Sequence, residues 1–443
     1  MSDKNIESLK KLYGDKEITL SDDQQEGFKQ AQEFMLNKEQ FFSIIGPAGS
    51  GKTTLMRAIA AEAANRRWDV VLAAPTHKAA KQLSLSCEKD AKTVHKVLGI
   101  SMQENDFTGE LEVKSKGINE LTTNTFLIID EGSMFGEKLY EFTKEDIEMK
   151  NVKILFVGDI AQLNPVNEEP SIVVDPKTCP WPLFALTKIH RQAADNPIIA
   201  LATKIRTATN KLPIPETHKN GDSGIFILSH KAFAHKMLEA CSKNADDRYI
   251  GYENYAVDEA AKYIRLKKYG KDAQKYPYLV GETLIVNERY TYKTEIGKDF
   301  DDKPIYEKTV IENNTEFEVE RVLEDDGLYR VIGEVDGATV EFNALRSYQH
   351  RKRYIEEIAR QCKIDKQNEI VAKPWGPYHE AKAQIADLRS ASSLTIHKSQ
   401  GSTFRDTYLN MNQIRACHDF KERQRLFYVA VTRSSRAVYI TGV

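Results

Sequence analysis

Short apolar runs recur along the chain, separated by longer polar segments that carry a helical period. Five of the runs have the length of a buried strand, and they lie at residues 41–45, 70–74, 126–129, 152–157 and 249–252. Helical patterns follow the earlier runs, and this alternation is typical of a parallel sheet with helices packed on its faces. The first 200 residues are therefore expected to form an α/β unit.

Two stretches break this pattern. Polar and apolar residues alternate around Thr108-Gly109, which predicts a β-hairpin inserted at about residues 99–118. Short strand patterns with Asp-Gly turns at 326–327 and 336–337, followed by a basic helix, predict a small SH3-like β-barrel with a helical extension. The expected domains are residues 1–190, which hold the hairpin, and residues 191–275 joined with 390–443, into which residues 276–389 are inserted.

The composition is that of a globular protein without a strong overall charge. Hydrophobic residues make up 41% of the 443 residues, charged residues 29%, and the formal net charge is −2. This balance argues against a nonspecific electrostatic binder of nucleic acid, although a groove on a neutral protein can be locally basic. Five cysteines without C-x-x-C spacing predict a reduced, cytoplasmic setting without disulfides or a zinc site. The lack of a bilayer-length apolar run or an apolar signal segment predicts that no membrane is involved.

The most informative segment is a glycine-rich loop between a predicted strand and a predicted helix. It consists of Gly46, Pro47, Ala48, Gly49, Ser50, Gly51, Lys52, Thr53 and Thr54. In such an arrangement backbone N–H groups and the start of the helix bind the phosphates of a nucleoside triphosphate. We expect these residues to bind ATP, with Lys52 reaching the β- and γ-phosphates and Thr53 offering its hydroxyl to Mg²⁺.

Further polar groups complete a constellation suited to hydrolysis. Asp130 and Glu131 end a buried strand pattern, so Asp130 is expected to hold Mg²⁺ and Glu131 to polarise the attacking water. Gln162 follows a second strand pattern and is expected to sense the γ-phosphate. Arg191 and Arg433 are candidates for stabilising charge in the transition state, although an isolated arginine is more often a surface residue.

In their order along the chain, these segments resemble the motifs of the superfamily 1 helicases, in particular of the RecD-like branch and its small phage members. The matching segments are residues 46–54 (motif I), 74–80 (Ia), 92–95 (Ib), 129–134 (II), 157–165 (III), 189–192 (IV), 394–402 (V) and 426–433 (VI). The resemblance implies two RecA-like parallel-sheet motor domains, with ATP in the cleft between them and single-stranded DNA across their top. It also implies that Gln24 reads adenine and that Gly401 belongs to the nucleotide site.

The same resemblance assigns contacts with the DNA backbone to four segments. They supply Pro75, Thr76, His77 and Lys78 in motif Ia, Thr93 and His95 in motif Ib, Asn254 after the strand at 249–252, and Thr395, His397, Lys398 and Ser402 in motif V. Hydroxyls, imidazoles and amines suit phosphate oxygens. A single histidine is as often a hydrogen-bonded loop residue, so the assignment of His77 and His397 depends on their motifs.

The implied function is that of an ATP- and Mg²⁺-dependent DNA helicase that translocates 5′-to-3′ and unwinds duplex, in phage-type replication, recombination or repair. The expected partners are single-stranded DNA, duplex-junction DNA and single-strand-binding, replisome or recombination proteins. The chain is expected to act as a monomer, in the host cytoplasm if it is phage-encoded. The alternative is a single-strand translocase or protein-displacing remodeller without efficient unwinding. A nucleotide-switched binding module would leave Glu131 idle.

The predicted hairpin follows motif Ib, where duplex would enter. Phe107 or Leu111 on this hairpin is the candidate wedge that separates the last base pair. The alternative is a passive surface hairpin whose Phe107 packs on its own domain.

Overall fold

A computed structural model describes residues 19–104, 111–115, 119–147, 150–164, 171–189, 196–298, 302–368 and 373–443. In chain order the strands are β1 (Phe41–Ile45), β2 (Asp69–Ala74), β3 (Ala91–Thr93), β4 (Ile100–Glu104), β5 (Leu111–Ser115), β6 (Thr125–Ile129), β7 (Lys153–Gly158), β8 (Leu183–Ala185), β9 (His218–Asn220), β10 (Ser223–Ile227), β11 (Asp247–Gly251), β12 (Thr283–Val286), β13 (Tyr290–Lys298), β14 (Pro304–Ile311), β15 (Glu316–Asp325), β16 (Leu328–Val335), β17 (Ala338–Leu345), β18 (Leu388–Ser390), β19 (Ser393–Thr395), β20 (Phe404–Asn410) and β21 (Ser434–Thr441).

The helices, again in chain order, are α1 (Asp22–Leu36), α2 (Lys52–Asn65), α3 (His77–Cys87), α4 (Val94–Val97), α5 (Glu137–Ile147), α6 (Pro197–Arg206), α7 (His230–Lys243), α8 (Asn254–Tyr269), α9 (Asp272–Lys275), α10 (Tyr348–Gln367), α11 (Gly376–Gln384), α12 (Ile396–Ser399), α13 (Met411–Arg415) and α14 (Phe420–Thr432), with a 3₁₀ turn at Gly132–Met134. Within the described ranges, no helix combines the length and apolar character needed to cross a membrane.

Six parallel strands form the first sheet, in the order β3-β2-β6-β7-β1-β8. Every residue of β1, β6 and β7 is buried, which explains why these strands are uninterrupted apolar runs in the sequence. Alternate residues of β1 enter two cores, Phe42 and Ile44 on one face of the sheet and Phe41 and Ile45 on the other. This sheet and its helices, residues 19–189, are the first α/β unit.

The second sheet has the order β19-β11-β20-β21-β10-β9, and its strands are parallel except for β9, which is antiparallel to β10. Its core includes the buried residues 426–431 of α14. Residues 196–275 and 390–443 build this second α/β unit. The predicted α/β class and the parallel sheet of the first unit are confirmed.

Residues 276–389, which we call the insertion, interrupt the second unit. They contribute to a five-stranded antiparallel sheet of order β17-β16-β15-β12-β18 and contain the antiparallel pair β13-β14. Asp-Gly turns join β15 to β16 and β16 to β17. Both residues of each turn have positive φ, 47° and 81° at 326–327 and 49° and 83° at 336–337, as a type I′ hairpin turn requires.

Strands β4 and β5 pair antiparallel, from Ile100 opposite Ser115 to Glu104 opposite Leu111. Phe107 lies outside the described residues, and Leu111 begins β5. The wedge role of either residue stays a prediction.

The two α/β units meet at loops that follow strands of the first sheet. Ala48 in the loop after β1 and Ala161 in the loop after β7 are half-buried against the apolar core of the second unit, and Leu163 is part of that core. These are the loops that carry the predicted nucleotide-binding residues.

Candidate nucleotide-binding site

Three neighbouring strands of the first sheet end at one edge. Ile45 of β1 lies opposite Gly158 of β7, and Ile129 of β6 lies opposite Phe156 of β7. Because the strands are parallel, the loops that follow them leave the sheet side by side. The glycine-rich loop, the Asp130–Glu131 pair and the loop with Gln162 are therefore neighbours.

Glycine is required at several positions of the glycine-rich loop. A Cβ atom on Gly46 would lie 2.7 Å from Ser50 Oγ, so the loop has no room for a side chain there. Gly49 and Gly51 have φ angles of 79° and 77°, which most other residues avoid. The Ser50 hydroxyl donates to the Pro47 carbonyl (2.9 Å) and tightens the turn.

Helix α2 begins inside this loop at Lys52. The Lys52 Nζ donates to the carbonyl oxygens of Gly46 (2.7 Å) and Pro47 (3.0 Å), so the ammonium lies over the loop. Thr53 is exposed in the first helical turn and Thr54 is partly exposed. A phosphate chain approaching the loop would meet the Lys52 charge and the Thr53 hydroxyl.

Gln24, the predicted adenine reader, lies beneath the loop. Its side chain is 1% exposed. Gln24 Oε1 accepts from the Ser21 N–H (2.9 Å) in a capping box, and Nε2 donates to the Gly51 carbonyl (3.0 Å). The amide supports the phosphate loop in this arrangement, and its role in reading adenine stays a prediction.

Asp130 and Glu131 form a carboxylate pair at the end of β6. The Glu131 N–H donates to Asp130 Oδ1 (2.8 Å), and Glu131 has a φ of 54°, which is uncommon for a residue with a side chain. Burial and the Glu131 charge raise the pKa of Asp130 to about 7, against a smaller opposing effect of Lys52.

This pair fits a divalent cation, because added positive charge would favour the ionised carboxylates. Mg²⁺ commonly takes one or two carboxylates together with phosphate oxygens and water. In the part of the chain that the structure describes, no cluster of three or more His, Cys, Asp or Glu could hold a metal by itself.

Asp159, after β7, joins the two units. It is fully buried, and Oδ1 accepts from Arg206 Nη1 of α6 (2.7 Å) and from the Ala161 N–H (3.0 Å). Its Oδ2 accepts from the Tyr428 hydroxyl of α14 (2.5 Å), which in turn accepts from the Ala48 N–H of the phosphate loop (2.9 Å). The second unit thus touches the phosphate loop directly.

Gln162 also contacts the second unit. Its Oε1 accepts from Gln400 Nε2 (3.1 Å), and both side chains are buried. Gly401, which follows Gln400 in the chain, has a φ of 72°. It approaches α3 so closely that an added Cβ would lie 3.0 Å from the Ala79 Cβ. Gly401 therefore lies at a contact between the units, and its predicted nucleotide contact is untested.

Arg433 is buried at the end of α14. Its guanidinium donates to the carbonyls of Val429 (3.2 Å) and Ser402 (3.0 Å) and to the Thr432 hydroxyl (3.2 Å). Burial lowers the pKa of Arg433, and the Glu131 carboxylate opposes this effect from across the cleft. Arg191 lies outside the described residues.

The predicted DNA contacts of motif Ia face the insertion. Thr76 caps α3 by accepting from the Ala79 N–H (3.2 Å). His77 Nε2 lies 3.8 Å from Glu312 Oε1, and Lys78 Nζ donates to Glu316 Oε1 (2.7 Å). Both basic side chains thus have carboxylate partners from the insertion.

The remaining contacts predicted in the first unit lie nearby. Pro75 is partly exposed, and the Thr93 hydroxyl caps α4 by accepting from the Lys96 N–H (3.3 Å). Burial lowers the pKa of His95, although Glu312 opposes this.

In the second unit, Asn254, Thr395 and Lys398 line a cavity of about 410 Å³ at the junction with the insertion. Asn254 is exposed, and the Thr395 hydroxyl caps α12 by accepting from the Lys398 N–H (3.3 Å). The Lys398 ammonium donates to the Asn287 side chain of the insertion. Burial, with Arg389 nearby, lowers the pKa of Lys398 to about 8.

Two further motif V residues differ in exposure. His397 is exposed with its ring centroid 6.3 Å from that of Tyr252. Ser402 is 2% exposed, and its hydroxyl has no hydrogen-bond partner among the described residues.

The sequence motifs did not predict a role for Asp159, Arg206, Gln400 or Tyr428. Asp159 and Tyr428 lie within segments that matched motifs III and VI. The available signal was a polar residue just after a strand for Asp159 and a polar residue within an apolar helix for Tyr428. Gln400 lies within the segment that matched motif V, whereas Arg206 lies outside every matched segment.

Comparisons with known proteins agree with this geometry. A profile described as an AAA domain matches residues 19–222, and one described as a UvrD-like helicase C-terminal domain matches residues 390–441. The ATP-dependent DNA helicase Dda of Enterobacteria phage T4 is 28% identical over 459 residues, which cover 95% of this chain and 98% of that protein. The predicted resemblance to the superfamily 1 helicases is confirmed.

Other relatives match in part or more distantly. The ATP-dependent RecD2 DNA helicase of Deinococcus radiodurans is 34% identical over 159 residues, 36% of this chain and 21% of that protein. The solved structure of the Pif1 helicase from Candida albicans is 17% identical, with a TM-score of 0.47 over 96% of this chain and 94% of that one.

The lowered pKa of Lys398 predicts a pH effect on stability. Between pH 8 and the ordinary lysine pKa near 10.5, the unfolded chain binds a proton that the folded chain does not, so the Lys398 contribution to stability rises with pH. We expect the Tm of wild type minus that of Lys398→Met to increase by roughly 2–4 °C between pH 7.5 and 9.5, the shift that about 1 kcal/mol produces.

Thermal unfolding of both proteins in matched buffers measures this difference. Lys262→Met is the matched control, because Lys262 lines the same cavity but is exposed to water. A difference that stays constant over this pH range would contradict the prediction.

Proposed function

We propose that the chain is an ATP-dependent DNA helicase that moves 5′-to-3′ along single-stranded DNA and unwinds duplex. The observation that carries the proposal is the cleft between the two units. The phosphate loop and the Asp130–Glu131 pair of the first unit face Tyr428 and Arg433 of the second unit there. The similarity to Dda, an ATP-dependent DNA helicase, over nearly the whole chain supports the choice of DNA as the track.

In this proposal the residues of motif I hold the triphosphate. Lys52 exchanges the Gly46 and Pro47 carbonyls for β- and γ-phosphate oxygens. Thr53 and Asp130 would hold Mg²⁺, which neutralises phosphate charge when bound. Glu131 polarises the attacking water, and Gln162 senses the γ-phosphate.

Arg433 and Arg191 stabilise charge that develops on the transferred phosphate. For Arg433 this requires exchange of its bonds to the Val429 and Ser402 carbonyls for phosphate oxygens. Such an exchange suits closure of the cleft, because it would bring Arg433 of the second unit onto a phosphate held by the first.

The two α/β units would be RecA-like motor domains, with residues 1–190 as the first and residues 191–275 with 390–443 as the second. Residues 276–389 would form an SH3-like barrel with a helical extension, and residues 99–118 a hairpin with the Phe107 or Leu111 wedge. We propose that the chain acts as a monomer in phage-type replication, recombination or repair, with single-stranded and junction DNA as partners. The 5′-to-3′ direction rests on the resemblance to the RecD-like branch.

The DNA track in this proposal crosses the motif Ia, Ib and V segments. Glu312 and Glu316 contact His77 and Lys78, so phosphates would compete with these carboxylates for the two side chains. Glu316 is engaged on both oxygens, because Oε2 also accepts from Arg248 Nη2 of β11 (2.9 Å). The insertion thus competes with DNA for the same basic side chains.

A strand-displacement assay with 5′-tailed and 3′-tailed duplexes tests the proposed function. We expect ATP-dependent unwinding of the 5′-tailed substrate only. Glu131→Gln is the matched inactive control, since loss of a general base should reduce turnover roughly 10²–10⁴-fold while nucleotide still binds. Movement on single strands without unwinding would favour the translocase alternative, and unwinding from 3′ tails would contradict the polarity.

Competition between the insertion and DNA predicts a gain of affinity in Glu316→Gln. Loss of this carboxylate releases Lys78 for a phosphate, so we expect single-stranded DNA to bind about 3–10-fold more tightly at low salt. The slope of the logarithm of the binding constant against the logarithm of the salt concentration should also steepen, by up to about one released counterion. Fluorescence anisotropy of a labelled oligonucleotide across a salt series measures both quantities.

Glu320→Gln is the matched control, because Glu320 is an exposed carboxylate on the same strand, β15. It removes the same charge from the insertion without removing a partner of Lys78. Equal or weaker binding by Glu316→Gln relative to this control would contradict the proposed competition between the insertion and DNA.

A further inference from the structure

The hydroxyl of Tyr428 is fully engaged by two groups from the other unit. It accepts the Ala48 amide hydrogen (2.9 Å) and donates its own proton to Asp159 Oδ2 (2.5 Å). The side chain is 1% exposed, so bulk water does not compete for either hydrogen bond. A tyrosine on the motif VI helix therefore holds a donor of the phosphate loop.

Through its contact with Tyr428, Asp159 gains a donor on Oδ2. The carboxylate also accepts from Arg206 and from the Ala161 N–H. Tyr408 shows that a buried tyrosine of the same unit can lack such partners, since its hydroxyl makes no hydrogen bond to any described residue. What distinguishes Tyr428 is its acceptor role toward Ala48.

Ala48 lies in the loop whose N–H groups would face phosphates, and it is half-buried against the core of the second unit. A charged phosphate oxygen accepts a hydrogen bond more strongly than a neutral hydroxyl does. An arriving phosphate on this side of the loop would thus compete with Tyr428 for one amide hydrogen.

We propose that Tyr428 is a positioning residue that holds the phosphate loop through the Ala48 amide, and that the terminal phosphate of ATP takes this amide hydrogen from the Tyr428 hydroxyl. This inference rests on the proposed function, which puts the γ-phosphate on the side of Gln162 and Arg433. The exchange releases α14 from the loop. Helix α14 ends at Thr432, immediately before Arg433. Release of α14 from the loop would therefore also free the segment that carries Arg433, the candidate charge stabiliser.

Tyr428→Phe tests the exchange, because it removes the competing hydroxyl and keeps the ring. Isothermal titration should show AMPPNP, a non-hydrolysable ATP analogue, binding about 3–10-fold more tightly than to wild type, the range expected for one hydrogen bond. ADP, which lacks the terminal phosphate, should bind within twofold of wild type. Amide hydrogen exchange at residues 46–51 should be faster than in wild type without nucleotide and equal to it with AMPPNP.

Tyr408→Phe is the matched control, because it removes a buried hydroxyl without a described partner. Weaker binding of both AMPPNP and ADP to Tyr428→Phe would make Tyr428 a permanent support of the loop and overturn the inference. Binding and exchange identical to the Tyr408→Phe control would overturn it as well. Failure of the proposed function is seen separately, because the wild-type chain would then show no unwinding in the strand-displacement assay, whatever its affinities for AMPPNP and ADP.

Discussion

A buried carboxylate between the two α/β units sets the geometry of the cleft. Asp159 is fully buried, and a charge in that position is tolerated only when hydrogen-bonded partners compensate for the lost water. Arg206 and Tyr428 supply those partners from the second unit, so the second unit must lie where their side chains reach the loop after β7. The contact of Tyr428 with Ala48 extends this constraint to the phosphate loop.

The insertion adds a second constraint between the two units. Glu316 accepts from Lys78 of the first unit and from Arg248 of the second, and both cations also lie over the Phe404 ring, at 4.9 and 5.3 Å from its centroid. Burial raises the pKa of Glu316, but Arg248 and Lys78 outweigh this and hold it below its ordinary value. One carboxylate thus ties three parts of the chain together at the proposed DNA track.

The sequence predicted the elements whose signals are local. Strands β1 and β6 are buried on both faces and so are continuous apolar runs, and the Asp-Gly turns require positive φ at both residues. Strands β13 and β14 were not predicted, because β14 is mostly exposed and has no buried run. The glycine-rich loop was recognised for the same local reason. Gly46 has no room for a side chain, and Gly49 and Gly51 have positive φ angles that other residues disfavour.

The pairing of charges was beyond sequence reasoning. Residue types identified the His77 imidazole and the Lys78 amine as suited to phosphate, but their partners lie in the insertion. Lys78 and Glu316 are 238 residues apart in the chain. The bond between Tyr428 and Asp159 spans 269 residues. Such contacts depend on how two sheets and an insertion pack, and no local pattern specifies that packing.

The central claim is that the second unit completes a catalytic site that the first unit only begins. Steady-state ATP turnover with saturating single-stranded DNA, measured beside nucleotide affinity for wild type and Arg433→Lys, tests it most directly. The account predicts a loss in turnover of about 10²-fold or more with affinity nearly unchanged, because an ammonium lacks the guanidinium fork that stabilises the transition state. Equal losses in turnover and affinity, or unchanged turnover, would contradict it.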